Sequence, residues 1–195
     1  MTKLCPVMLV HGLDDTARVF KRMTTYLRDR GWTVFSCDLI PSSGQLPLEA
    51  LARQLDRYIQ DHLPPEEPFD LLGFSMGGLI SRYYLQRLGG LARVRRFLTL
   101  SSPHQGTWTG YLRWNAGCEQ MRPNSDFLRD LNHDWHTLEQ VRFVSLWTPL
   151  DLMIVPADSS VIPVGRSLSL PVALHPWMLT DDPVLSTVAQ ILEER

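Results

Sequence analysis

The stretch "FDLLGFSMGGLISRYYLQ", residues 69–86, holds a serine between two glycines where an apolar run gives way to a helical one. Residues 69–74 are apolar apart from Asp70 and read as a strand covered on both faces, as in a parallel sheet. From there Met76, Leu79, Ile80, Tyr83 and Tyr84 fall on one helical stripe. Ser75 therefore occupies a strand-to-helix turn, and Gly73-Phe74-Ser75-Met76-Gly77 spells G-x-S-x-G, the nucleophile elbow. So tight a turn strains the serine backbone, and it needs glycine on either side because a Cβ there would meet the neighbouring strand or helix. The serine is lifted into the cleft at the carboxyl end of the strand, above a helix N-terminus that favours developing negative charge. The alternative is a serine that only caps its helix. A buried strand before it and a helix after it favour the nucleophile.

Working outward, short β-branched runs alternate with longer segments of helical period. Strands are expected at residues 7–10, 33–37, 69–74, 94–101 and 141–147. Helical stripes run through Val19, Phe20, Met23 and Leu27, and through Leu48, Leu51, Ala52, Leu55 and Ile59; another uses Val184, Leu185, Val188 and Leu192. This alternation predicts an α/β fold, with a mostly parallel central sheet and helices on both faces. Residues 1–195 suit a single domain with a core of useful size, and no repeat, low-complexity tract or linker divides them. "HLPPEEP", residues 62–68, reads as the loop before the strand at Phe69. Residues 105–138 show no clear period and exceed an ordinary connection, which predicts a cap or lid segment.

The formal charge of −2 supplies no basic surface for phosphates, so a nucleic-acid partner is not expected. No stretch reaches the roughly 20 apolar residues of a membrane helix. "MTKLCPVMLVHG" meets His11 and Gly12 too early for a secretory signal. Cys5, Cys37 and Cys118 are odd in number without C-x-x-C spacing, so neither a disulfide framework nor a metal site is expected. Cys5 and Cys37 read as small core residues. A reducing, cytoplasmic setting follows as the expectation. No cofactor is called for.

A serine hydroxyl is a weak nucleophile near neutral pH, so Ser75 requires a base, an orienting acid and an oxyanion hole. Behind an elbow the chain order is serine, acid, histidine. His175, after the apolar run of "SLSLPVALHPWMLTDDPV", is late enough to be the base; His104, His133 and His136 are its rivals. Asp151 ends the strand "VRFVSLWTPLD" and is the favoured acid, ahead of Asp158 and Asp181, with Asp126 and Asp130 too early in the chain. The oxyanion donors are expected to be the backbone N–H groups of Met76 and Leu13, the latter in "MLVHGLDDT", where Gly12 lets the chain turn close to the substrate.

Together "VMLVHGLDD", "GFSMGG", "LSSPHQGT", "MRPNSDFLRDLN", "DLMIVP" and "LHPWMLTDDPV" resemble the α/β-hydrolase superfamily, and within it the small bacterial triacylglycerol lipase and esterase-like group. The resemblance implies a triad of Ser75, Asp151 and His175 on a compact core lacking the first strands of larger members. It also implies that "SSPHQGT" shapes the loop beside the cleft, with Thr107 and Trp108 leading into the cap. An extracellular fat-digesting role is not expected without a signal peptide.

Residues 108–135 mix Trp108, Tyr111, Leu112, Trp114 and Met121 with Arg113, Arg122 and Arg129, a composition that suits an acyl pocket or a packed excursion equally. His11, Trp108, Tyr111 and Trp114 are candidate substrate contacts. The expected function is hydrolysis of a carboxylic ester, with a small acyl ester or lipid as substrate and transient contact with a membrane surface. Acyl transfer, or amide or thioester cleavage, uses the same residues; a non-catalytic binding protein on the same scaffold is the third reading.

Overall fold

One six-stranded sheet, in the order β2-β1-β3-β4-β5-β6 with every neighbouring pair parallel, organises the computed structural model, which describes residues 4–194. The strands are β1 (Val7–Val10), β2 (Val34–Ser36), β3 (Phe69–Phe74), β4 (Val94–Leu100), β5 (Arg142–Trp147) and β6 (Arg166–Ser169). Residues 1–3 and 195 of the expected domain lie outside the described residues.

Both faces of the central strands are apolar because alternate side chains feed two separate layers. Met8, Val10, Leu71, Phe97 and Phe143 pack with α2 (Leu48–His62) and α3 (Met76–Arg87). Val7, Leu9, Leu72, Leu98 and Val144 pack with α1 (Lys21–Arg28) and α6 (Asp182–Glu193). The helices thus cover both faces. Strand β6, "RSLS", escapes the sequence reading because it is an edge strand with mostly exposed, polar residues and no hydrophobic alternation.

The excursion at residues 105–138 is built of short pieces. It contains a 3₁₀ turn at Trp108–Leu112, then α4 (Ala116–Gln120) and α5 (Asp126–His133). Each helix starts on its own capping side chain, Asn115 to the Cys118 N–H and Ser125 to the Leu128 N–H. Helices of one or two turns leave too few residues for a 3.6-residue period to register, which is why the stretch looks structureless in sequence. Cys118, Met121, Phe127, Leu128, Leu131 and Leu138 are buried in the α2–α3 layer. From Cys118 onward the segment therefore completes the core. The fully buried Arg82 of α3 fastens it there, donating to Leu131 O at 2.8 Å and Asn132 Oδ1 at 2.9 Å.

Candidate active site

Ser75 follows β3 directly and takes φ 53°, ψ −124°, in the left-handed half of backbone space that costs a non-glycine residue about 1–3 kcal/mol. Its surroundings hold it there. The Ser75 N–H donates to Leu100 O of β4 at 2.9 Å, and the start of α3 presses onto the neighbouring strands. A Cβ at Gly73 would come within 2.5 Å of Gly78 Cα; one at Gly77 would overlap the Val10 carbonyl oxygen and lie 2.5 Å from His11 O; one at Gly78 would overlap Ser102 Oγ. Only hydrogens fit between the nucleophile helix and the sheet. Gly77→Ala, whose new methyl meets rigid backbone, is accordingly expected to cost about 1–3 kcal/mol or more. A urea midpoint equal to wild type would contradict that packing.

Asp151 lies beyond the carboxyl end of β5. Its Oδ1 accepts from the Met153 and Ile154 N–H groups, both at 2.9 Å, and its Oδ2 stands 2.7 Å from His175 Nδ1. With Nδ1–H donating to the carboxylate, His175 Nε2 carries a free lone pair. Burial pushes the Asp151 carboxyl upward, but the hydrogen bond and charge of His175 and the two backbone donors outweigh it and hold the group below its ordinary value. His175 opens the 3₁₀ turn His175–Leu179, and its ring rests on Phe74, the neighbour of Ser75, at 4.7 Å between centroids. Ser75 and His175 line one cleft of about 210 Å³.

Leu13 lines the same cleft. Gly12 allows this approach, since a Cβ there would sit 3.1 Å from Ser75 Cβ. Met76 is the first residue of α3, so its N–H has no acceptor within the helix.

The other expected substrate contacts lie outside the lining of this cleft. His11 is fully buried, with Nε2 accepting from the Leu39 N–H at 2.9 Å and Nδ1 3.0 Å from Gly12 O, and it braces the loops after β1 and β2. Trp108 and Tyr111 stack on each other at 5.6 Å, and Trp114 is 83% exposed beneath the Arg122 guanidinium; none of the three lines the cleft. From the same segment Thr109 and Leu112 line the cleft, Leu112 at its exposed mouth. Met153 and Asp15 also line the cleft, and neither stands out in sequence: Met153 hides in "DLMIVP" and Asp15 in "HGLDD". Thr107 and Thr109 both donate to Met153 O, at 3.1 and 2.7 Å, joining this rim to the loop that carries Asp151.

Among the rival bases, His104 is fully buried; its Nε2 is 3.0 Å from Thr99 Oγ1, and burial holds its pKa well below the ordinary value. His133 and His136 are exposed. Asp158 is exposed, Asp181 precedes α6, Asp126 pairs with Arg129 and Asp130 with Arg87.

The family model described as palmitoyl protein thioesterase matches residues 6–122 of this chain. That span includes Gly12 and Ser75 and ends before Asp151 and His175. Lysosomal thioesterase PPT2 of Mus musculus is 32% identical over 117 residues, which is 56% of this chain and 38% of the mouse protein. PPT2 of Homo sapiens is 31% identical over the same share of each. The chain thus matches well under half the length of these curated relatives. Among solved structures, Aspergillus fumigatus lipase B superposes with a TM-score of 0.82 at 17% identity, over 98% of this chain and 53% of that one. Bacillus licheniformis lipase BlEst2 in its mature form gives 0.80 at 15%, over 98% and 93%. At such identities the likeness is one of fold, and the expected α/β-hydrolase fold is the observed one.

Proposed function

This chain belongs to the palmitoyl protein thioesterase family of α/β-hydrolases, and from that premise we propose that it hydrolyses acyl thioesters, and oxygen esters of the same acyl groups, through Ser75. The observation that carries the reading is the strained Ser75 sharing a cleft with a histidine whose Nδ1 is held by a buried aspartate. Ser75 Oγ attacks the acyl carbon as His175 Nε2 takes its proton. The developing oxyanion is met by the Met76 and Leu13 N–H groups. His175 then gives the proton to the leaving thiol or alcohol, and water repeats the sequence to release the acid. Asp151 keeps the imidazole in the required tautomer and stabilises its charged form. The family and the thioesterase named among its relatives favour a thioester over the carboxylic ester expected from sequence.

The walls of the cleft support a long acyl chain. At about 210 Å³ the cleft is smaller than the roughly 300–1,000 Å³ that encloses a whole small ligand. A long chain must leave it. Apart from Leu4, every exposed large hydrophobic side chain among the described residues, including Leu112, Trp114, Leu152, Met153 and Trp177, lies in a loop after the carboxyl end of a strand, the side that bears the cleft. This apolar rim suits an acyl chain and transient contact with a lipid surface, where tryptophan is favoured. Among the described residues no helix is long and apolar enough to cross a membrane.

The test is a matched set of acetyl and palmitoyl thioesters and oxygen esters. Leu112→Ser is expected to lower kcat/KM for palmitoyl substrates roughly tenfold, the loss of contact with about two methylenes at ~0.8 kcal/mol each. Acetyl substrates should change less than threefold by the same reasoning. Equal losses on both would remove the rim from acyl recognition.

A further inference from the structure

Asp15 is a carboxylate in the cleft that the proposed chemistry does not use. A Cβ built on Gly12 would lie 3.3 Å from Asp15 Oδ2 and 3.1 Å from Ser75 Cβ, so that oxygen is at most 6.4 Å, the sum of the two, from the nucleophile's Cβ. Neighbouring charges are matched elsewhere: Asp14 with Arg113 at 2.6 Å and Asp151 with His175 at 2.7 Å. His11 engages Leu39 and Gly12 through its two ring nitrogens. Among the described residues no ion pair engages Asp15, which leaves it the unmatched charge of the cleft. Burial raises its carboxyl above the ordinary range, against the pull of His11 and His175; Asp14 adds to the rise and the Gly12 N–H opposes it.

The strand order says which half of a substrate meets it. Beside β3, which leads into Ser75, β1 lies on one side and β4 then β5 on the other. The rim residues Leu152 and Met153 follow β5 and Trp177 follows β6, whereas Asp15 follows β1. With the acyl chain on that side of the rim, a step that rests on the function proposed above, the other substituent of the scissile carbonyl is directed toward Asp15.

The geometry points to Asp15 as a specificity-determining residue that selects substrates by the charge of the leaving group, favouring an alcohol or thiol portion that bears an ammonium and disfavouring one that bears a carboxylate or phosphate. The carboxylate makes and breaks no bond in the reaction. At this separation, in a partly desolvated cleft, a unit charge of either sign on the leaving group is expected to separate cationic from anionic substrates by a factor of roughly 10–100.

The experiment uses one acyl group on thiocholine, 2-mercaptoethanol and 3-mercaptopropionate, at pH 8 and low salt. The same three thiols serve as leaving groups of a methylphosphonothioate, whose adduct on the Ser75 peptide is followed by mass spectrometry. The expected order is cation, neutral, anion in both series. Asp15→Asn should collapse the cation-to-anion ratio to within roughly threefold, Asp15→Glu should retain it, and 0.5 M salt should shrink it in wild type by screening. The readout is the ratio, so a general loss of rate in either variant does not imitate it. An unchanged ratio in Asp15→Asn, or labelling of Ser75 without charge order, overturns the assignment. Charge-ordered labelling with no cleavage of any thioester or oxygen ester would remove the hydrolase reading and leave Asp15 standing. Cleavage without charge order would do the reverse.

Discussion

Ser75→Ala is expected to lower kcat on acyl thioesters and esters by roughly 10⁶, the scale on which losing the nucleophile of such a triad is felt. The alanine keeps the Cβ that already fits the turn, and it loses only the hydroxyl. The N–H bond to Leu100 O and the glycine contacts beneath α3 are untouched, so circular dichroism and the urea midpoint should match wild type. His175→Ala should fall nearly as far, because nucleophile and base act as one unit and their losses do not add. A fluorophosphonate should place its adduct on the Ser75 peptide in wild type and not in the variant. A folded Ser75→Ala that still turns over would transfer the chemistry to another residue and take the whole proposed mechanism with it.

Asp151→Asn is expected to cost on the order of 10⁴ in kcat, with binding of substrate little changed. The size follows from which oxygen does what. Oδ1 is occupied by the Met153 and Ile154 N–H groups, so the amide oxygen of an asparagine will take that place and its NH₂ will face His175. An amide that donates forces Nδ1 to accept, which puts the imidazole proton on Nε2, where a lone pair is needed. The same carboxylate carries a signature in stability. Its folded pKa is depressed, so its contribution is present in full above the unfolded aspartate value of about 3.9 and fades as the pH falls through the lower folded value. The variant should therefore lose less stability than wild type on acidification below about pH 4, measured by urea unfolding at each pH. Full activity in Asp151→Asn together with damage in Asp158→Asn would reassign the acid.

What the sequence by itself determined are the features that rest on local rules. Largely apolar runs of four to eight residues alternating with helical stripes specify a parallel sheet covered on two faces, and the elbow is legible at Ser75 because its three demands fall within five consecutive residues: a strand end, a helix start and flanking glycines. Tertiary structure alone decided matters that depend on where separate loops meet. Asp151 and His175 are 24 residues apart and touch because β5 and β6 end side by side. Nothing local distinguishes a carboxylate that accepts from His175 from Asp158, which faces solvent. The excursion divides the same way: Leu128 and Leu131 go to the core and Leu112 to the cleft although all share one apolar chemistry, because short capped turns point each one by its own geometry. His11 reads as a site residue by its place at a strand end, yet the Leu39 N–H holds its ring inside, while Asp15, four residues on, is turned toward Ser75 by a loop whose path no periodicity encodes.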